Sequence, residues 1–126
     1  MSDFFRFREF PVYIALRSFR SEVKMVSRKK FPKEEDYVLR PQLWRALDSS
    51  ILNLAEGSDR HSDKDFSHFL NTSIASIDEV VACVDCSLDD AYITKEEHAL
   101  LLKKAENIIR QLKAFLAKVR NDNRRY

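Results

Sequence analysis

The chain reads as an all-α protein, an antiparallel up-down-up-down four-helix bundle, on three observations. Only one glycine and three prolines occur in 126 residues, whereas hairpins and sandwiches need repeated Gly, Asn and Pro turns. Apolar residues recur at alternating spacings of three and four along four separate stretches, the period of a helix with one buried stripe. The joining segments are short, about twelve residues at first and a few at each later junction, and short links make consecutive helices antiparallel neighbours. Residues 1–126 are thus expected to form a single domain, long enough for one core but not two.

The first helix is predicted over 9–28, where Val12, Leu16, Phe19, Val23 and Val26 lay one stripe. The corner Lys29-Lys30-Phe31-Pro32 ends it, because a residue before proline is pushed out of the helical region. The second is predicted over 41–60, with Pro41 at a first helical position, where a missing N–H costs nothing. Its stripe is Trp44, Leu47, Ile51 and Leu54, widened by Leu43. Gly57 has two readings, a close approach of a neighbouring helix or an early helix end. The third helix, over 63–90, opens with Ser62-x-x-Asp65, a weaker variant of the capping box. Phe66, Leu70, Ser73, Ile77, Val80, Val84 and Leu88 are assigned inward. A fuller box, Thr94-x-x-Glu97, starts the fourth, over 95–120, with Leu101, Ala105, Ile108, Leu112, Phe115 and Val119 in heptad register. The polar tail 121–126 is expected to fray.

The most distinctive block is Phe31-Pro32 with Glu35 and Tyr37, then Leu39, Gln42, Arg45-Ala46, Ser49 and Asn53-x-Ala55-Glu56-Gly57. A second block is Phe66-x-x-Phe69-Leu70 with Ser76 and Glu79. Together they resemble the signature of the four-helix-bundle family encoded in intervening sequences of bacterial large-subunit ribosomal RNA genes. A related branch is the accessory variability determinant of diversity-generating retroelements. The resemblance implies a ring-shaped homo-oligomer, a pentamer, and a link to RNA or to a reverse transcriptase. It implies interhelical hydrogen bonds from Asn53 and Glu56, and close packing at Ala55 and Gly57. Three positions depart from the pattern. Trp44-Arg45 replaces two consecutive arginines, Ile51 stands at the usual proline, and the opening segment FREFPVYIALRSF matches poorly.

Chemistry-bearing arrangements are sparse, so no enzyme is expected. Cys83-x-x-Cys86 lies deep in a predicted helix next to Asp85, whereas a redox dithiol needs a helix N-terminus and a zinc site needs two more ligands. Structural packing is the better account. A di-iron bundle needs two Glu-x-x-His motifs, and Asp65-x-x-His68 has no counterpart. His61 and His98 lie near helix starts, expected in solvent. One glycine excludes a phosphate loop. No metal or cofactor is called for. The opening MSDFFRFREF has no continuous apolar run, and no stretch approaches the roughly 20 apolar residues that span a bilayer. A cytoplasmic location without membrane attachment is the expectation.

Charge carries the functional reading. Net charge is only +2, yet residues 1–33 hold nine Lys/Arg against three acids, and residues 63–90 one Lys against seven acids. Arg17, Arg20, Lys24 and Arg28 form a stripe on the first helix. Lys103, Arg110, Lys113, Arg120 and Arg124 share one sector of the fourth. Such stripes are either solvated faces or tracks for phosphates, with affinity driven by counterion release. A second apolar row, Leu102, Ile109 and Leu116, either widens the core stripe or supplies a subunit contact. The charge stripes lead to a non-catalytic RNA- or DNA-binding adaptor, and the resemblance implies that it acts as a homo-oligomer. The alternative is a protein-protein interaction scaffold in which basic helices meet acidic residues 78–90 of a neighbouring copy.

Overall fold

Capping chemistry sets most of the helix boundaries. The computed structural model describes residues 3–123, and among them it is all-helical, with four long helices and no strand. These are α1 (Pro11–Lys30), α2 (Leu39–Ser58), α3 (Asp63–Asp89) and α4 (Lys95–Asn123), with 3-10 segments at Asp3–Glu9 and Lys33–Glu35. Pro11 opens α1, and Phe31, extended at φ −78° and ψ 136°, closes it. The Ser62 side chain accepts from the Asp65 N–H at the start of α3. Thr94 and Glu97 exchange reciprocal bonds of 2.8 and 3.1 Å before α4. The Phe31 corner and the caps at Ser62 and Thr94 agree with the sequence expectation, because each is a local arrangement; the start at Pro11 lies two residues later than expected.

Other boundaries differ from the sequence expectation by one to three residues: α1 runs Pro11–Lys30 rather than 9–28, and α2 ends at Ser58 rather than at 60. Helix α2 begins at Leu39 rather than Pro41, since proline is tolerated throughout a first turn whose N–H groups lack intrahelical acceptors. The Leu39 N–H donates instead to the Glu35 carboxylate at 3.3 Å. Helix α4 continues to Asn123 instead of stopping near Arg120. Beyond α3, Ala91 adopts a left-handed φ of 63°, and the Tyr92 N–H reaches back to the Ser87 carbonyl at 2.9 Å. That is the helix-ending geometry usually assigned to glycine.

The core is continuous, with Leu54, Leu70, Ile77 and Leu112 fully buried. Four assigned stripe positions shift by one residue, and in α2 and α3 the buried one is the preceding residue, Ser50 rather than Ile51 and Ser87 rather than Leu88. Ser27 rather than Val26 is buried at the end of α1, and Leu116 rather than Phe115 near the end of α4. The shift is forward in α1 and α4 and backward in α2 and α3, as expected where the core-facing stripe is wider than one row and adjacent positions share it. Trp44, Ile51, Leu88 and Phe115 are half-buried against the core.

Helix α2 lies against α3 more extensively than any other pair, and α3 lies against α4; α1 touches α2 and α4 more lightly. Small residues explain the α2–α3 contact. The Ser49 and Ser76 hydroxyls meet at 2.7 Å, and Ser73 donates to the Ser50 carbonyl. A Cβ on Gly57 would sit 2.5 Å from the Phe69 Cβ. Of the two readings of Gly57, close approach is the observed one, with the helix ending one residue later. Asn53 and Glu56 do not bridge helices. Asn53 donates to the Ser49 carbonyl within α2, and Glu56 accepts from Arg60 one turn later. Arg40 closes the other end, donating to the Ser27 and Phe31 carbonyls at 3.1 and 3.2 Å and pairing with Asp36.

Candidate nucleic-acid interface

The α1 stripe becomes a built edge through contacts with α2. Trp44 is held by its indole N–H, which donates to the Ser27 hydroxyl at 2.9 Å. The Lys24 ammonium sits 4.0 Å from the centre of its ring, and the Arg28 guanidinium 5.0 Å away. Arg20 pairs with Asp48 of α2 at 2.7 Å. Arg17 projects over Tyr13 at 5.8 Å and is exposed. Burial, and then neighbouring Arg20, hold the Lys24 ammonium below its ordinary value; Asp48 opposes them and Arg28 adds to them. A shallow groove of about 330 Å³ runs along this edge, lined by Arg20, Ser21, Lys24, Met25, Arg28 and Lys29.

The α4 stripe is looser. Lys103, Arg110, Lys113 and Arg120 are all exposed. Arg110 is taken by Glu106 of its own helix at 2.5 Å. Lys113 borders an apolar groove with Val81, Leu102 and Ile109, and Arg120 lies near Lys64, Ser67, His68 and Asn71 of α3. Arg124 is outside the described residues.

The two stripes do not merge into one face. Arg20, Lys24 and Arg28 lie toward α2, and Lys113 and Arg120 toward α3, while Lys103 and Arg110 share a groove with Lys104 on α4 itself. Helices α1 and α4 meet elsewhere, through the Lys104–Glu22 ion pair and the Phe10 and Phe115 rings 5.0 Å apart. A single chain therefore carries two basic edges on different sides. Among the described residues, none of the eight candidate cations pairs with an acid of α3. The outer apolar row also divides. Leu116 is 7% exposed and belongs to the core, so it is removed from any subunit contact. Leu102 and Ile109 remain half-buried.

Cys83 is buried and Cys86 exposed, and burial pushes the Cys83 thiol up to about 11, the opposite of what a reactive thiolate needs. Among the described residues no group of His, Cys, Asp and Glu is arranged to hold a metal ion. His98 is not free in solvent, because its Nε2 lies 2.8 Å from Asp85. No helix of the described residues is long and apolar enough to cross a membrane.

The model of the 23S rRNA-intervening sequence protein family matches residues 8–114. The chain belongs to that family. A solved structure described as a protein of unknown function from the S23 ribosomal protein family of Bacteroides thetaiotaomicron is similar in fold. It is 19% identical, with a TM-score of 0.76 over 84% of this chain and 95% of that one. No curated protein matches the chain. Within the intervening-sequence family pattern, Trp44 is thus the departure placed under two cations, while Gln42, Ser49, Gly57, Phe69, Ser76 and Glu79 lie along the α2–α3 contact.

Proposed function

We propose that this intervening-sequence family protein is a non-catalytic adaptor that binds nucleic acid, RNA in particular, through exposed cationic edges. The observation that carries the reading is that six of the candidate cations, Arg17, Lys24, Arg28, Lys103, Lys113 and Arg120, make no ion pair among the described residues. Lysines and arginines left uncommitted on a folded surface attract phosphates and release their counterions. The helices are read as an antiparallel up-down-up-down bundle. In support, Gln42 meets Glu79 while Gly57 meets Phe69, and Asp85 meets His98 while Phe66 meets Phe115. Assembly into a ring, a pentamer by family resemblance, would multiply the field of each edge. The retroelement branch, with a reverse transcriptase as partner, rests on the sequence resemblance alone; a reverse transcriptase gene beside this one would bring it in. Fluorescence anisotropy with a generic RNA tests the central claim. Affinity is expected to fall steeply as salt rises, and a flat salt response removes phosphate recognition.

A second reading has its own observation. The groove of Val81, Leu102, Ala105 and Ile109 is apolar and flanked by Lys113, and Asp78, Asp85, Asp89 and Asp90 are exposed. A scaffold that joins copies by apolar contact and charge pairing would use these surfaces. In that case salt disperses an oligomer, measured by light scattering, and RNA has no effect.

A further inference from the structure

Arg20, Lys24 and Arg28 stand on successive turns of α1 with one nearby carboxylate, Asp48. Like charges gathered this way repel one another, and here Arg20 and Arg28 both disfavour the charged form of Lys24. The cluster is nevertheless held in place. The Trp44 ring lies under Lys24 and Arg28, its indole is tied to the fully buried Ser27, and Arg20 is tied to Asp48. From Arg17 to Arg28 the stripe covers about 16 Å at the helical rise per residue. An anion seated there would relieve the repulsion without moving the side chains.

We propose that the α1–α2 edge is the phosphate-contacting site for a single-stranded nucleic acid, with Trp44 as the positioning residue that sets Lys24 and Arg28. This rests on the nucleic-acid reading above and narrows it to one of the two basic edges. Repeating phosphates match cations repeating every three to four residues, and the groove lined by Arg20, Lys24, Arg28 and Lys29 offers a strand a positively charged track. The α4 edge has a cationic groove of its own, lined by Lys103, Lys104, Asn107 and Arg110, but Glu106 lies in it and occupies Arg110, and among the described residues no aromatic ring sets its cations.

Trp44 is the sole tryptophan of the chain, so its emission reports on this edge and no other. Titration with a uridine oligoribonucleotide is expected to change Trp44 emission saturably, in step with anisotropy of the labelled oligonucleotide, and added salt is expected to reverse both. The K24Q/R28Q variant keeps the indole and should lose the emission change. Its salt slope should fall by about 1.4, roughly 0.7 for each single-strand phosphate that is no longer neutralised. Thermal stability of K24Q/R28Q should be unchanged or higher, which separates a site from a structural role. K113E/R120E should leave the emission change intact. Saturable anisotropy with constant Trp44 emission overturns the assignment to this edge while the nucleic-acid reading stands. No binding in either channel removes both. Polyglutamate producing the same emission change at lower concentration than RNA would overturn the proposal in favour of an acidic protein partner.

Discussion

Helix α2 has two interfaces built from opposite materials. Toward α3 it presents Ala46, Ser49, Ser50 and Gly57, and short side chains let two backbones approach until hydroxyls bond directly to carbonyls across the gap. Toward α1 it presents Trp44 and Asp48, and the contact is made by long cationic side chains lying over a ring. The first interface is close-packed and sterically strict; the second is half-exposed and electrostatically unbalanced. Gln42, Ser49, Gly57, Phe69, Ser76 and Glu79 of the resemblance blocks lie at the first, and Trp44 lies at the second. Fold and candidate function are therefore separated onto two faces of one helix.

If close approach dominates the α2–α3 contact, adding volume there should do the most damage. Gly57→Val drives side-chain atoms into Phe69 and Phe66 and is expected to cost about 3 kcal/mol, read by chemical denaturation. Wild-type stability would mean that the helices part freely and that their small residues are incidental. The α1 side should depend instead on polar ties. Arg40→Met removes the two bonds to the Ser27 and Phe31 carbonyls and the pair with Asp36, for an expected loss of about 2 kcal/mol. Partial fraying of α1, seen as faster amide exchange near Ser27 while the α2–α3 contact stays protected, should accompany it. Equal loosening of both regions would erase the contrast.

Smaller effects come from the chain ends of the helices. Ala91→Gly relieves a left-handed conformation and should stabilise by about 0.5–1 kcal/mol without touching either interface of α2. The Thr94 N–H, and then Lys30, hold the Glu97 carboxyl below its ordinary value of 4.5, against a contrary push from burial. A carboxylate lowered in the folded state adds stability above pH about 4.5, and that contribution disappears as pH falls through the lower folded-state value. Acid titrations of wild type and Glu97→Gln should differ by a few tenths of a kcal/mol there, since the group is exposed and screened. Coincident curves would assign the cap no electrostatic part.

Local signals were readable from the sequence. Ser62, Thr94 with Glu97, and the Phe31-Pro32 corner all end or begin helices through neighbours a few residues away, so pattern alone located them. Burial registers are legible to within one residue: spacing finds the stripe but not which of two adjacent positions packs deepest, so Ser27, Ser50, Ser87 and Leu116 are buried where Val26, Ile51, Leu88 and Phe115 are expected. The basic stripes were visible as stripes, but a helical wheel gives each residue's angle to its own core and not the identity of the adjacent helix. That missing angle is what separates two edges from one face. Arg40 gave no signal at all, because a solitary arginine near a helix start looks the same whether it is solvated or fastens the preceding helix.

The Tyr92 hydroxyl donates to Glu35 at 2.6 Å, and the other oxygen of that carboxylate receives the Leu39 N–H. The linker before α4 thereby clasps the linker before α2, although 57 positions separate the two partners. Trimming or lengthening one of these turns would unseat the first residue of a helix begun by the other, so sequence changes in the two linkers have to be made as a matched pair.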